Sequence, residues 1–163
     1  MWRQLSACAT SELEIGDIAH VGIRTDGEVA LILAADETGV AWHVLESRIR
    51  RFLPKEHRLL DRFLARGGFL NLNYGFGAGI YRVLGFRHNF PIVEHPDNGL
   101  GVTVDSPLQI LSLYSCRSGL SVASFPVDTT GDDVLASFSD DGRVCIVVQR
   151  TSVIFFGYGS AEA

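Results

Sequence analysis

Few residues in this chain are of types and spacings that do chemistry. His88, Glu94, His95 and Asp97 fall within ten residues of "RHNFPIVEHPDNG", and imidazole with carboxylate oxygen suits zinc, iron or manganese. If 90–94 is extended, His88 and His95 stand at opposite ends of a strand of about 20 Å, too far apart for one ion. A metal site would then rest on His95 and Asp97, completed by His20 or His43. The spacings His-x-His and HExxH are missing, so these groups read as the polar residues of a turn, and no metal or other cofactor is expected. Cys116 in "YSCRSG" has Arg117 beside it, a charge that lowers a thiol pKa, but the C-x5-R spacing is missing. Cys145 in "RVCIVV" reads as a small buried hydrophobe. With no GxSxG either, no catalytic residue is assigned and an enzyme is not the expectation.

The stretch "GGFLNLNYGFGAGIYRVLGF", Gly67 to Phe86, contains "GFGAGI", two glycines of a dinucleotide fingerprint with Ile80 where the third belongs. A strand pattern, "IYRVLGF", follows in place of a helix, so no helix N-terminus is present to hold a pyrophosphate. As a strand, Gly75, Gly77 and Gly79 line one face while Tyr74, Phe76, Ala78 and Ile80 line the other. A glycine floor permits close approach of a backbone, a ring or a flat ligand. Tyr74, Gly75, Phe76, Gly77, Gly79 and Tyr81 are therefore the candidates for a small-molecule site in a barrel mouth, beside His88 and His95. The expected structure is a glycine-kinked hairpin.

Charge is the third signal. The chain carries a net −5, yet residues 46–66, "ESRIRRFLPKEHRLLDRFLAR", hold seven basic residues against three acidic ones. Pro54 suits a first helical turn and Gly67 the position after a last one, so one amphipathic helix is predicted near 54–66. Leu59, Leu60, Phe63 and Leu64 share the face expected to pack, and Lys55, Arg58, Arg62 and Arg66 share another. With Arg48 and Arg51 these form the candidate interaction surface. Arginine offers bidentate hydrogen bonds to carboxylate or phosphate. A nucleic-acid partner is not expected, because the rest of an acidic domain repels phosphates. The segment "DTTGDDVLASFSDDG" reads as two turns or an acidic rim facing a basic partner.

These groups must be carried by strands. Alternating apolar residues bounded by turn signals recur near 18–24, 28–35, 40–46, 69–74, 79–86, 90–94, 101–105, 108–114, 120–125, 134–138, 143–149 and 153–158. The expectation is an α+β, predominantly antiparallel β-rich single domain over 1–158, with nine to twelve strands, one helix and a disordered tail at 159–163. Three segments echo one another weakly through Gly39, Gly99 and Gly142, each with a valine five residues on. Unequal spacing makes that a coincidence of strand-rich sequence. Residues 16–52, "GDIAHVGIRTDGEVALILAADETGVAWHVLESRIRRF", resemble the outline of SH3-like small barrels. That resemblance implies an SH3-like, barrel-like N-terminal part and no particular activity, since the class hosts protein, RNA and DNA binders alike.

With 47% hydrophobic residues there is material for a core and for a homo-oligomer interface besides. No apolar run reaches the ~18 residues of a spanning helix, so no membrane partner is expected. Three cysteines without CxxC suit a reduced, cytoplasmic setting. The reading favoured is a non-catalytic protein-interaction module with a protein partner. Its composition is like that of small acidic inhibitor, immunity-type or assembly proteins of bacteria and phages. The alternatives are a small-molecule- or metal-binding β-barrel enzyme and a nucleic-acid binder using the Arg-rich helix.

Overall fold

The computed structural model describes residues 2–66, 69–72, 78–85, 92–95, 99–105, 107–127, 134–139 and 141–158. The elements run β1 (Trp2–Ala9), a short α1 (Thr10–Leu13), β2 (Ile18–Arg24), β3 (Val29–Ala34), β4 (Gly39–His43), β5 (Arg48–Arg51) and α2 (Pro54–Arg66). Then come β6 (Phe69–Leu72), β7 (Gly79–Gly85), β8 (Ile92–His95), β9 (Leu100–Asp105), β10 (Ile110–Ser115), β11 (Ser121–Pro126), β12 (Val134–Phe138), β13 (Val144–Gln149) and β14 (Ser152–Tyr158). They form three open sheets, ordered β5-β4-β3-β2-β7-β6, β1-β14-β13-β12 and β11-β10-β9-β8. Every pairing is antiparallel. Among the described residues no helix is long and apolar enough to cross a membrane.

Two apolar runs explain the layering. β3, "VALILA", is buried throughout, and strand alternation sends its residues to opposite faces. Val29, Leu31 and Leu33 pack with Leu60 of α2, with Leu70 and with Tyr81. Ala30, Ile32 and Ala34 pack with Ile146, Val148, Val153 and Phe155 of β13 and β14. The same alternation in β13 sends Cys145 and Val147 the other way, into a cluster with Val102, Leu111, Leu113 and Phe156. The stack is therefore α2, the six-stranded sheet, the β1–β14–β13–β12 sheet, and the β11–β10–β9–β8 sheet. Among the described residues Trp42 meets Phe155 edge-on at 5.3 Å and Phe125 stacks on Phe156 at 4.3 Å, an aromatic pair at each interface between sheets.

The predicted α+β, predominantly antiparallel class and the helix at 54–66 are found. β2 to β5 run as a consecutive antiparallel meander within the six-stranded sheet. Fourteen strands are described where nine to twelve were expected, because β1 and β5 lack a readable alternation. β5 is "RIRR", an edge strand whose one apolar residue, Ile49, is itself largely exposed. The expected packing face of α2 is corrected. Leu60 and His57 are buried, whereas Leu59 and Phe63 are 52% and 46% exposed. His57 supplies the reason. Its Nε2 donates to the Ala34 carbonyl of β3 at 3.1 Å, which rotates the helix so that the 57/60 side faces the sheet. The tail at 159–163 lies outside the described residues.

Candidate interaction surface

α2 is fixed at its start by one carboxylate. Glu56 Oε1 accepts the Leu53 N–H at 3.1 Å, the returning half of a capping box. Glu56 Oε2 accepts Arg50 Nη2 at 2.6 Å, which ties the end of β5 to the helix. The Arg50 hydrogen bond, then that from Leu53, holds the Glu56 carboxyl below its ordinary range. Further along, Asp61 Oδ1 lies 2.9 Å from His20 Nδ1 of β2. The two groups are in close polar contact without an aligned hydrogen bond, since the His20 nitrogen gains no hydrogen-bond partner among the described residues. His57, His20 and Arg50 thus hold α2 in one orientation.

That orientation divides the predicted basic residues in two. Arg48 pairs with Glu46. Arg51 donates through Nη1 to the Leu13 carbonyl at 2.6 Å and pairs with Glu14 at 3.2 Å. Both are spent on holding β5. Lys55, Arg58 and Arg62 are exposed and make no ion pair among the described residues. At helical spacing they adjoin Leu59 and Phe63, with Leu53, 67% exposed, at the helix start. Lys55, Arg58, Leu59 and Arg62 line a shallow hollow of about 610 Å³ with Glu56 and Asp61. Arg66 continues the row on α2, but its side chain lies outside the described residues. The exposed Leu59 and Phe63 are what sequence reasoning missed, and only the phase of the helix reveals them.

The other candidates lie only in part among the described residues. β6 and β7 pair from Phe69↔Arg82 to Leu72↔Gly79, the hairpin pairing expected of this stretch, while Tyr74, Gly75, Phe76 and Gly77 lie outside the described residues. Gly79 has φ 140°, and a Cβ there would stand 2.8 Å from Arg24 Cδ. Tyr81 is fully buried under α2. Burial pushes its phenol up to about 12, opposed by the Arg24 charge. His88, Asp97 and the His95 side chain lie outside the described residues. Of the proposed helpers, His20 is engaged with Asp61, and His43 faces Glu28 at 3.9 Å and Glu46 at 4.0 Å. Among the described residues no group of three or more His, Cys, Asp or Glu could hold a metal ion.

All three cysteines are free. Cys116 is exposed in a turn whose N–H donates to the Gly99 carbonyl at 2.7 Å. Burial drives the Cys145 thiol far up. Cys8 rises to about 11, first through burial and then through its hydrogen bond to Glu12. Neither raised thiol is poised as a nucleophile at neutral pH. Comparison with known proteins found no family model and no curated protein that matches this chain.

Proposed function

We propose that the chain is a non-catalytic protein-interaction module that binds an acidic, partly apolar protein surface through the outer face of α2. One observation carries the reading: Leu59 and Phe63 stand exposed on a rigidly anchored helix beside Lys55, Arg58 and Arg62, which have no carboxylate partners among the described residues. Interfaces of this kind place an apolar centre inside a charged rim, and the charges set orientation and encounter rate more than affinity. Arg48 and Arg51 support the surface from β5 rather than meeting the partner. An inhibitor, immunity-type or assembly role is consistent with such a module. The SH3-like reading of 16–52 draws support from the β2–β5 meander, and the cytoplasmic reading from three free thiols.

The test is native mass spectrometry of the untagged protein purified from its own source, alongside two variants, Leu59→Ser/Phe63→Ser and Arg58→Glu/Arg62→Glu. The wild type is expected to carry a second protein at fixed stoichiometry, and both variants to lose it with unchanged melting temperature. A bare wild-type chain, a partner retained by both variants, or extra mass removed by nuclease would each overturn the reading.

A further inference from the structure

The groove between the two four-stranded sheets lies away from α2, on the far side of the six-stranded sheet, and answers to a different chemistry. It opens where β1 begins and β14 ends, has a volume of about 570 Å³, and is lined chiefly by Trp2, Leu100, Val122, Tyr158, Asp141 and Arg143. β1 pairs Trp2 with Tyr158, and the rings meet at 5.8 Å, tilted. Phe138 supports Trp2 edge-on at 6.4 Å. Trp2 is only 7% exposed, so its indole is held in place, whereas Val122 and Tyr158 are 51% and 58% exposed on the walls. An apolar hollow of this size, with an aromatic wall and few polar groups, has the character of small-molecule sites, which span roughly 300–1,000 Å³.

The rim supplies the polarity. Asp141 accepts from Ser139 Oγ at 2.7 Å and from the Arg143 N–H at 3.0 Å. Those hydrogen bonds and the nearby Arg143 charge outweigh burial and hold its carboxyl below the ordinary range. Asp141 Oδ1 is thus occupied in building the turn, while the Asp141 carboxylate keeps its charge at the rim. The Arg143 carbonyl accepts the Tyr158 N–H at 2.8 Å, which fixes the Arg143 backbone to the groove wall. Its guanidinium is exposed and makes no ion pair among the described residues. Arg143 is therefore the planar, bidentate donor of the rim, with the Asp141 carboxylate beside it.

We propose that this groove binds a small aromatic carboxylate, its ring against Trp2, Tyr158 and Val122 and its carboxylate on Arg143. The chain has two tryptophans, and the second, Trp42, is buried in a different interface against Phe155. The indole N–H resonances therefore report groove and core separately, with a Trp2→Phe variant assigning them. The test titrates 2-naphthoate, and 2-naphthamide as its neutral isostere, into the ¹⁵N-labelled full chain. The Trp2 resonance is expected to shift saturably with naphthoate while Trp42 stays still. Affinity should fall about tenfold for the amide, and about tenfold for naphthoate with Arg143→Gln, the loss of one charge-assisted contact. Arg143→Gln should leave the weak amide binding unchanged. Leu59→Ser/Phe63→Ser should bind naphthoate like the wild type, which separates this site from the α2 surface. Equal affinity for acid and amide, a shift at Trp42, or no saturation would overturn the proposal. A Trp2 shift that follows protein concentration without ligand would overturn it in favour of a second copy of the chain.

Discussion

Gly39 stands where three neighbours leave no space for a methyl group. A Cβ there would lie 2.9 Å from Leu33 Cδ2, 3.0 Å from the Ile32 carbonyl oxygen and 3.2 Å from His57 Cδ2. Its own carbonyl accepts the Phe52 N–H at 3.0 Å, so the backbone has little freedom to retreat. Gly39→Ala is expected to cost about 1–3 kcal/mol, read as a lower urea midpoint at unchanged slope. Titration gives a second prediction at this scale. Cys8 rises from 9.0 to about 11 and Tyr81 from 10.0 to about 12, both chiefly by burial. The native state keeps these protons more tightly than the unfolded chain does. Their contribution is therefore complete below pH 9 and drains away as pH rises towards 12. The urea midpoint should be lower at pH 10.5 than at pH 8, and Tyr81→Phe should flatten that decline; a midpoint level across the window would refute the assignment. In alkylation at pH 8.5, Cys116 should react first, Cys8 slowly and Cys145 only on unfolding, as read by intact mass.

Among the elements, α2 shows most clearly what could be read in advance. Its bounds followed from Pro54 and Gly67, but its phase did not. Leu59, Leu60, Phe63 and Leu64 offer an apolar face wide enough to pack at several rotations, and the choice among them rests with His57 and the Ala34 carbonyl, a contact between residues on different elements. Truncating Leu60 to Ala should cost about 2–5 kcal/mol, whereas Leu59→Ser or Phe63→Ser should change stability by no more than about 0.5 kcal/mol. The reverse order in urea melts would restore the packing first inferred from the leucines. Glu56→Ala removes the hydrogen bond to the Leu53 N–H and the ion pair with Arg50, a loss of about 0.5–2 kcal/mol by comparison with other caps. The strands were easier where burial is two-sided, because β3 and β13 are unbroken apolar runs. β5 was hidden because an edge strand needs no apolar alternation and "RIRR" has none. The echo of Gly39, Gly99 and Gly142 dissolves for a similar reason: Gly99 and Gly142 take positive φ, at 66° and 71°, while Gly39 sits within β4 and is needed for space instead. As for the candidate site, the cations were legible as a row, but their division into spent and unspent was not. It depends on Glu46, Glu14 and Leu13, which reach Arg48 and Arg51 only once β5 and α1 have formed.

Across the whole molecule, one sheet touches both of the others, and it is the sheet that β1 and β14 share. β1 meets β14 from Trp2↔Tyr158 to Ala9↔Ser152, and β14 contributes Phe155 to one core and Phe156 to the other. A chain starting at Thr10 would leave β14 as a bare edge and remove Trp2 from the second core. It is expected to lose its cooperative unfolding transition, monitored by near-ultraviolet circular dichroism against urea; a sharp transition retained at a similar midpoint would show β1 to be dispensable. The same pairing has a consequence for biosynthesis. β1 leaves the ribosome ahead of the other described strands, and its partner β14 follows all of them. The central layer can close only after Tyr158 has been made, although β2 to β5 can pair as soon as they emerge. Nascent chains arrested before β14 should therefore be cut readily by protease within β1 while the β2–β5 meander is already protected, so that β14 completes the β1–β14–β13–β12 sheet.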